Sequence, residues 1–427
     1  MSSLNPTLVA DGVWRLSANA GQDILFEGLW PLPHGVSMNS FLVKGRDCAL
    51  IDGVCGWDGV PQTLLAQLER MGVRLQDIRY VVLNHLEPDH TGWLEPFARL
   101  HPDFTLCASA RGLGMADAFY GLAQERRAVG TGDHLDLGGG KVLEFHEIPN
   151  VHWPETIATW EPGTGTLFSC DAFGSFGAIG EAAYDDQLSE PELDLFEEES
   201  LRYFSNILAA FSSSVERALR ALKALRPRIV APAHGPVWRR DPGRIQSWYE
   251  RYCAYGRGPA EPEITVIWGS MYGMTERAVR SVLDGIAEEG VRAHVFRVPQ
   301  SHVSPILAAA WRSTGIAVGA PVYEYRLFPP VAAVLDELAR KKVVRKKVLA
   351  FGSFGWLAGG GGKELAEIVE RYRLGWELLP PVEFPGAPRE EAQARLREAG
   401  RGLAREVRAA SADSGSIRAQ PRQVSPS

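Results

Sequence analysis

Along the first 255 residues the apolar positions fall into short runs divided by Gly, Pro and polar clusters. TLVADGVWRLSA, SMNSFLVKG and CALIDG, between residues 7 and 52, predict strands, because no helical period runs through them. Gly59 to Met71, Arg111 to Ala123 and the longer stretch Leu201 to Leu225 carry apolar residues at helical spacing and predict helices. IRYVVLNH, FTLCASA and KVLEFHEIP predict further strands, and ETIATW and GTLFSCDAFG flank a Pro-Gly turn at Glu161 to Gly165. An acidic connection, Glu181 to Glu199, precedes the long helix, and the block closes on the strand-like RIVAPAHGP. Within the connection, ELDLFEEES suits a solvated helix start, where carboxylates complement the dipole. Strands and helices mixed in this way predict an αββα sandwich over residues 1–255.

Residues 256–262, GRGPAEP, read as a linker. Beyond it the period changes: EITVIWGS, AHVFRV, GIAVGAP, KKVLAFGSF and WELLPPV alternate with amphipathic stretches. Regular βα alternation predicts an α/β domain with a doubly wound parallel sheet over residues 263–403. Residues 404–427 hold few large apolar side chains and read as a disordered tail.

Composition narrows the function classes. A chain of 427 residues exceeds one typical core, and 45% hydrophobic with 23% charged residues is ordinary for a globular protein. The formal charge of −7 gives no basic face for nucleic acid. The start, MSSLNPTLVADGVW, lacks a basic n-region and an apolar h-region, and no apolar run approaches the roughly 20 residues of a membrane span. Cys48, Cys55, Cys107, Cys170 and Cys253 form no C-x-x-C pair. That pattern fits reduced thiols in a cytoplasmic protein and excludes a built-in rubredoxin or ferredoxin module.

The chemistry concentrates in VVLNHLEPDHTG, Val81 to Gly92, where an apolar strand delivers His85, Glu87, Asp89 and His90. Pro88 disfavours helix for Glu87, so a loop is expected after the strand. Two imidazoles and two carboxylates this close would be costly to bury without a cation among them. His152 in NVHWPE, Asp171 in FSCDAFG and His234 in APAHGP also follow apolar runs and precede Gly or Pro. These seven residues suffice for two metals: His85, Glu87 and His152; Asp89, His90 and His234; and Asp171 placed to bridge. Zinc hydrolases with this strand-loop logic use H-x-H-x-D-H, whereas here Glu87 stands at the second His. A carboxylate-rich set with imidazole favours iron or manganese, iron first. His101, His134, His146, His294 and His302 show no such grouping, and His34 in PLPHGVSMNS fits either an approach to the metals or a structural role.

In the second domain ITVIW runs into GSMYGMTERA and then a helix. Ser270, Met271, Tyr272, Gly273, Met274 and Thr275 sit where a strand-to-helix turn presents N–H groups and hydroxyls to a phosphate. Two later strand ends carry Pro321, Val322, Tyr323 and Glu324, and Ser353, Phe354, Gly355 and Trp356, with aromatics able to flank an isoalloxazine. One phosphate loop without G-x-G-x-x-G favours FMN over a dinucleotide. The basic run Arg340 to Lys347 reads as a solvated connection, its sharper reading being a docking patch for an acidic electron carrier.

The H-x-E-x-D-H loop, the later His, Asp and His, the SMYGMT loop and LFEGLWPLPHGVSMNS together resemble the flavodiiron proteins, or A-type flavoproteins, over nearly the whole chain. The resemblance implies a metallo-β-lactamase-like domain with a non-haem diiron centre, followed by a flavodoxin-like FMN domain. His85, Glu87 and His152 would hold one iron, Asp89, His90 and His234 the other, with Asp171 bridging. It departs at PVYEY, where relatives often carry Thr and Asn, so flavin hydrogen bonds through Val322 and Glu324 are in question. Met38 stands where an aromatic is expected. The resemblance also implies reduction of O2 to water or NO to N2O, electrons from a separate rubredoxin-like or flavin-reductase donor, and a head-to-tail homodimer or tetramer. Two other readings remain open at this point: a zinc hydrolase fused to a flavodoxin-like module, and an electron carrier or gas sensor that does not turn over.

Overall fold

The computed structural model describes residues 2–53, 62–180 and 184–413. Cys55, the start of the helix expected from Gly59, and Glu181 to Ala183 of the acidic connection lie outside them. The chain divides into two compact units, Met1–Glu250 and Arg251–Ser427. The division falls within the helix Pro242–Tyr255 rather than in the expected linker. Tyr252 explains part of this: its carbonyl accepts from the buried Trp311 Nε1 at 2.9 Å, which ties the end of that helix to the second unit. The strand Glu261–Trp268 then begins inside the stretch read as linker.

In the first unit two sheets face each other. One runs, in order, Ser2–Ser3, Val13–Ala20, Val36–Lys44, Cys48–Ile51, Ile78–Val82, Thr105–Ala108 and Glu125–Ala128, with Thr7–Ala10 paired to Val13–Ala20. The other runs His134–Gly138, Lys141–Glu147, Ile157–Glu161, Thr166–Cys170 and Ile229–Pro232. Period-two alternation explains how the first sheet is buried on both faces. Phe41, Val43, Ala49, Ile51 and Val82 turn inward to meet Leu143, Phe145 and Phe168 of the second sheet. Their neighbours Leu42, Leu50 and Val81 turn outward onto Leu64, Leu68, Leu94 and Phe97 of the covering helices.

Four local expectations change. Pro88 opens a short helix, Pro88–Thr91, with Glu87 as its extended N-cap, instead of continuing a loop. A ring locked near helical φ suits the first helical position, where no N–H is needed. The long helix is interrupted. Glu190–Tyr203 passes through a π-turn at Phe204–Leu208 and a 3₁₀ turn at Ala209–Phe211 before Ser212–Ala224 resumes. Ser205 and Asn206 are buried in the π-turn, where the Ser205 hydroxyl donates to the Arg202 carbonyl at 3.0 Å. WELLPPV gives two strands, Glu377–Leu378 and Val382–Pro385, because Pro380 and Pro381 cannot donate to a ladder between them. The expected tail begins late: the helix Glu390–Asp413 covers residues 404–413, with Leu403, Ala404 and Val407 buried at helical spacing.

The second unit is a parallel sheet in the spatial order Arg292–Arg297, Glu261–Trp268, Ser313–Gly319, Lys347–Phe354, then the two short strands. Numbered by its own strands this is 2-1-3-4-5, the doubly wound order that places a ligand beyond the carboxyl ends of the strands. Ile264, Val266 and Trp268 pack against the helices Met274–Glu288 and Glu390–Asp413. Those helices touch backbone to backbone at two glycines. A Cβ on Gly285 would lie 2.0 Å from the Arg397 carbonyl oxygen, and one on Gly400 would lie 2.3 Å from that of Val282.

The basic run is largely committed to the fold. Arg340 pairs with Asp336 at 2.8 Å, Lys347 with Glu377 at 2.5 Å, and Arg345 donates to the Arg257 carbonyl. Lys346 is buried and donates to the carbonyls of Trp311 and Ser313 at 3.1 and 2.6 Å. Burial lowers its pKa to about 7. An unfolded lysine keeps its proton to about pH 10.4, so between these values the unfolded chain binds more protons than the folded one. The contribution of Lys346 to stability therefore rises with pH through that window. Urea unfolding of Lys346→Met should show a flatter pH dependence from 7 to 10 than the parent, and an unchanged slope would refute this assignment.

Candidate metal centre and flavin loops

Every candidate metal ligand sits just beyond the carboxyl end of a strand. His85 follows Ile78–Val82, and Glu87, Asp89 and His90 lie on the turn that Pro88 starts. His152 follows Lys141–Glu147, Asp171 follows Thr166–Cys170 and His234 follows Ile229–Pro232. Neighbours hold these ends in place. The Asp52 carboxylate accepts the Asn84 N–H at 2.9 Å, and Thr159 donates to the Asn84 amide oxygen at 2.7 Å. Asn39 donates to the carbonyls of Pro232 and Gly235 at 3.1 and 2.8 Å, and Ser37 accepts the Gly235 N–H at 2.7 Å. Asp52, Asn150, Cys170 and Phe173 all adopt left-handed φ between 51° and 67°. Such backbone costs of order 1–3 kcal/mol per residue and concentrates where function demands a fixed geometry.

The seven side chains converge. His85, Glu87, His152 and Asp171 each place a ligand atom within 4.8 Å of the others, as do Asp89, His90 and His234. Asp171 joins the two groups. Its Oδ2 lies 3.4 Å from His85 Nε2 and 3.5 Å from His152 Nε2; its Oδ1 lies 3.2 Å from His90 Nε2 and 3.4 Å from His234 Nε2. Both Asp171 oxygens, His90 Nε2 and His234 Nε2 are buried, yet none makes a hydrogen bond. Buried polar atoms facing one another without hydrogen bonds call for a partner, and a cation between them supplies it. The donor set therefore fits a metal pair.

Electrostatics agree. Burial opposes charge on His85, but Asp171, Glu155 and Glu87 outweigh it and raise the pKa to about 10. The same opposition is overcome by Asp89 and Asp171 at His90, raised to about 9, and at His234, raised to about 10. Asp171 is held well below the usual carboxylate range by the imidazoles despite its burial. A metal entering the site would displace these protons.

Three residues of this neighbourhood escape sequence reasoning. Glu155 is buried and accepts from His85 Nδ1 at 2.8 Å. Asp52, with Cys170, lies beside His90. Tyr203 turns a buried hydroxyl, without a hydrogen bond, into the field of Asp171, Asp89 and Glu87; burial and those charges hold it protonated. Its ring packs 5.7 Å from His234 and 5.1 Å from Phe176. Only HWPE, with a carboxylate three residues after a ligand, carried a signal. His34 is exposed. His101 bonds the Ile78 carbonyl, His294 pairs with Glu263 and His302 accepts the Ser304 N–H, all outside the metal groups. Met38 is buried in its strand.

In the second unit Gly273 adopts φ +86° at the start of the helix Met274–Glu288, and its N–H donates to Ser270 Oγ at 2.9 Å. Thr275 is fully buried there and its Oγ1 makes no hydrogen bond. An orphan hydroxyl at a helix N-terminus fits a phosphate. Val322–Tyr323 and Arg326–Leu327 form a hairpin whose two turn residues, Glu324 and Tyr325, both have positive φ. Ser353 and Phe354 end the strand Lys347–Phe354, and Trp356 beyond Gly355 is exposed and packs edge-on to Tyr325 at 6.4 Å. Met271, Tyr272, Tyr323 and Tyr325 are exposed large side chains of the same three loops. No helix among the described residues is long and apolar enough to cross a membrane.

Comparison with known proteins places this arrangement. The ODP family beta lactamase matches residues 36–235. The anaerobic nitric oxide reductase flavorubredoxin of Vibrio vulnificus is 32% identical over 381 residues, 88% of this chain and 74% of that protein. The nitric oxide reductase of Moorella thermoacetica is 28% identical over 406 residues, 94% of this chain and 99% of that one. Among solved structures, a flavo di-iron protein mutant from Thermotoga maritima superposes with a TM-score of 0.84 at 26% identity, covering 95% of this chain and 99% of that chain. The fold is also that of the rubredoxin oxygen:oxidoreductase of Desulfovibrio gigas, with a TM-score of 0.87, 24% identity and coverage of 95% and 99%. The first unit is thus a metallo-β-lactamase-like sandwich and the second a flavodoxin-like sheet, and the chain belongs to the flavodiiron protein family.

Proposed function

We propose that this chain is an oxidoreductase that reduces O2 to water, NO to N2O, or both, passing electrons through FMN to a non-haem diiron pair. The observation that carries the reading is Asp171, a buried carboxylate that turns one oxygen to His85 and His152 and the other to His90 and His234. His85, Glu87 and His152 would hold one iron and Asp89, His90 and His234 the other, with Asp171 turned toward both groups. When bound, the irons and FMN can each store two electrons, which matches the four that O2 requires and covers the two for a pair of NO molecules. The protein's own part is positional. Its carboxylates keep the site anionic, its strand ends fix the imidazoles, and Tyr203 holds an O–H proton facing the reacting centre. Phe26 and Phe176, packed on Tyr203 and on each other, exclude water from that side.

Ser270 to Thr275 would hold the FMN phosphate, and Pro321 to Glu324 with Ser353 to Trp356 would border the ring. Thr275→Val should weaken FMN binding by about 10- to 100-fold, since a hydrogen bond to a charged group is worth roughly 1.5–3 kcal/mol. Fluorescence titration of the flavin-free protein reads this directly, and unchanged affinity would remove Thr275 from the site. Electrons come from a separate donor of rubredoxin or flavin-reductase type, and a head-to-tail homodimer sets the flavin of one copy against the irons of the other. Sedimentation of the holoprotein tests that assembly.

The deciding experiment is anaerobic reduction of the purified protein followed by separate O2 and NO electrode runs. Rapid loss of one gas identifies the substrate; loss of neither, with FMN and iron bound, overturns the reading.

A further inference from the structure

The two metal groups are backed differently. Behind His234 stands a neutral group: its Nδ1 donates to the main-chain carbonyl of Ser37 at 2.9 Å. Behind His90 the Cys170 thiol lies 3.9 Å from Nδ1, and the Asp52 carboxylate stands within 4.8 Å of a ring nitrogen, close but not hydrogen-bonded to it, with one oxygen accepting the Asn84 N–H. Behind His85 stands a full carboxylate. Glu155 Oε1 lies 2.8 Å from His85 Nδ1 and also accepts the Leu86 N–H at 3.0 Å, so one oxygen fixes both the ligand and the backbone that follows it. Thr156 Oγ1 lies 3.3 Å from the same nitrogen. Glu155 is itself anchored, since Ser109 donates to its carbonyl at 2.7 Å, and its second oxygen is buried without a hydrogen bond. His85 and Glu155 side chains are both wholly inaccessible.

From this asymmetry we infer that Glu155 is a positioning residue that holds His85 in the Nδ1–H tautomer and makes the metal bound by His85, Glu87 and His152 the tighter and more oxidisable of the pair. The inference rests on the two-metal reading of the site. A hydrogen-bonded carboxylate fixes the ring and raises the basicity of the nitrogen that faces the metal, and losing such a partner typically costs 10- to 100-fold in affinity. A backbone carbonyl fixes a tautomer without adding a charge, so His234 gains orientation alone. Of the two carboxylates behind the imidazoles, Glu155 behind His85 and Asp52 behind His90, only Glu155 is hydrogen-bonded to its ring, so its charge acts more strongly on the metal of that side and favours its higher oxidation state.

The test is anaerobic Fe(II) titration of the metal-free, full-length protein, wild type against Glu155→Gln, with thermal midpoint and FMN content followed in parallel. The glutamine can still accept from Nδ1–H but carries no charge. One of the two Fe(II) equilibria should weaken by about 10- to 100-fold, the other should stay, and the iron midpoint potential should rise. Wild-type affinities and potential in Glu155→Gln would overturn the inference. So would equal weakening of both metals with a lowered thermal midpoint, the signature of a merely structural carboxylate. Fewer than two Fe(II) bound by the wild type would instead overturn the metal reading beneath it. Should Glu155→Gln fail to fold, wild-type protein with ¹⁵N-labelled histidine and Zn(II) decides the matter. One imidazole N–H shifted further downfield than those bonded to carbonyls supports the carboxylate partner, and its absence refutes it.

Discussion

Asp171→Ala is expected to abolish gas reduction while leaving FMN bound. The carboxylate lies within 3.5 Å of four imidazole Nε2 atoms and is the one group common to both sides of the site. Without it, His85 and His90 each lose one of the charges that raise their pKa, and four buried imidazoles face one another across a gap. Breaking a buried ionic network by removing one partner costs about 3–5 kcal/mol, because the remaining charges are left uncompensated. The metal pair should therefore be lost or reduced to a single weakly held ion. The flavin loops belong to the other compact unit, so their ligand should remain. His85→Asn should behave alike for one metal. The measurement is iron and FMN per chain together with O2 and NO consumption; turnover retained with intact flavin would refute the diiron role.

Most of this centre was legible because its chemistry is dense in sequence. Four ligands in one hexapeptide cannot be hidden, and each later ligand stood between an apolar run and a Gly or Pro. What surrounds them was not legible, since a supporting group is recognisable only from what it touches. Asp52 reads as the end of a strand, Tyr203 as one aromatic in a helical stretch, and Glu155 as an ordinary acid after a proline. The fold divides in the same way. Short apolar runs without a helical period predicted the strands of both units, and their regular alternation with amphipathic stretches predicted the doubly wound sheet of the second. Breaks within elements left no mark in the apolar pattern: Ser205 and Asn206 are buried polar residues in the π-turn, and the terminal helix packs through Gly285 and Gly400 against its neighbour. The composition of residues 404–413 suggested disorder, whereas two buried positions, Ala404 and Val407, continue the apolar stripe from Leu403 and dock them. Pro88 misled for a related reason. It keeps Glu87 extended, as expected, and its fixed φ also suits the first position of a helix.

Gly53→Ala is expected to damage the metal centre from behind, without touching a ligand. A Cβ there would lie 1.8 Å from Trp93 Nε1 and 1.9 Å from its Cε2. Trp93 is completely buried, stacks edge-on to Phe97 at 4.9 Å, and donates from Nε1 to the His90 carbonyl at 2.7 Å. The indole thus pins the end of the Pro88–Thr91 turn. A methyl group leaves two ways to relieve the clash. Either the indole withdraws and releases the His90 carbonyl, or the Gly53 backbone shifts and carries Asp52 away from the Asn84 N–H that precedes His85. Both routes displace a metal ligand. Overpacking of this kind costs about 1–3 kcal/mol, and more where backbone must move. For a unit of this size each kcal/mol lowers the thermal midpoint by roughly 2–4 °C. Iron per chain should fall with it while FMN stays. A second substitution tests the steric cause: Trp93→Phe removes Nε1 and Cε2, the two atoms nearest the new methyl, so the double variant should be less destabilised than the sum of the single ones. Calorimetry and iron analysis of the four proteins would show this, and additive losses would mean that Gly53 acts through something other than the indole.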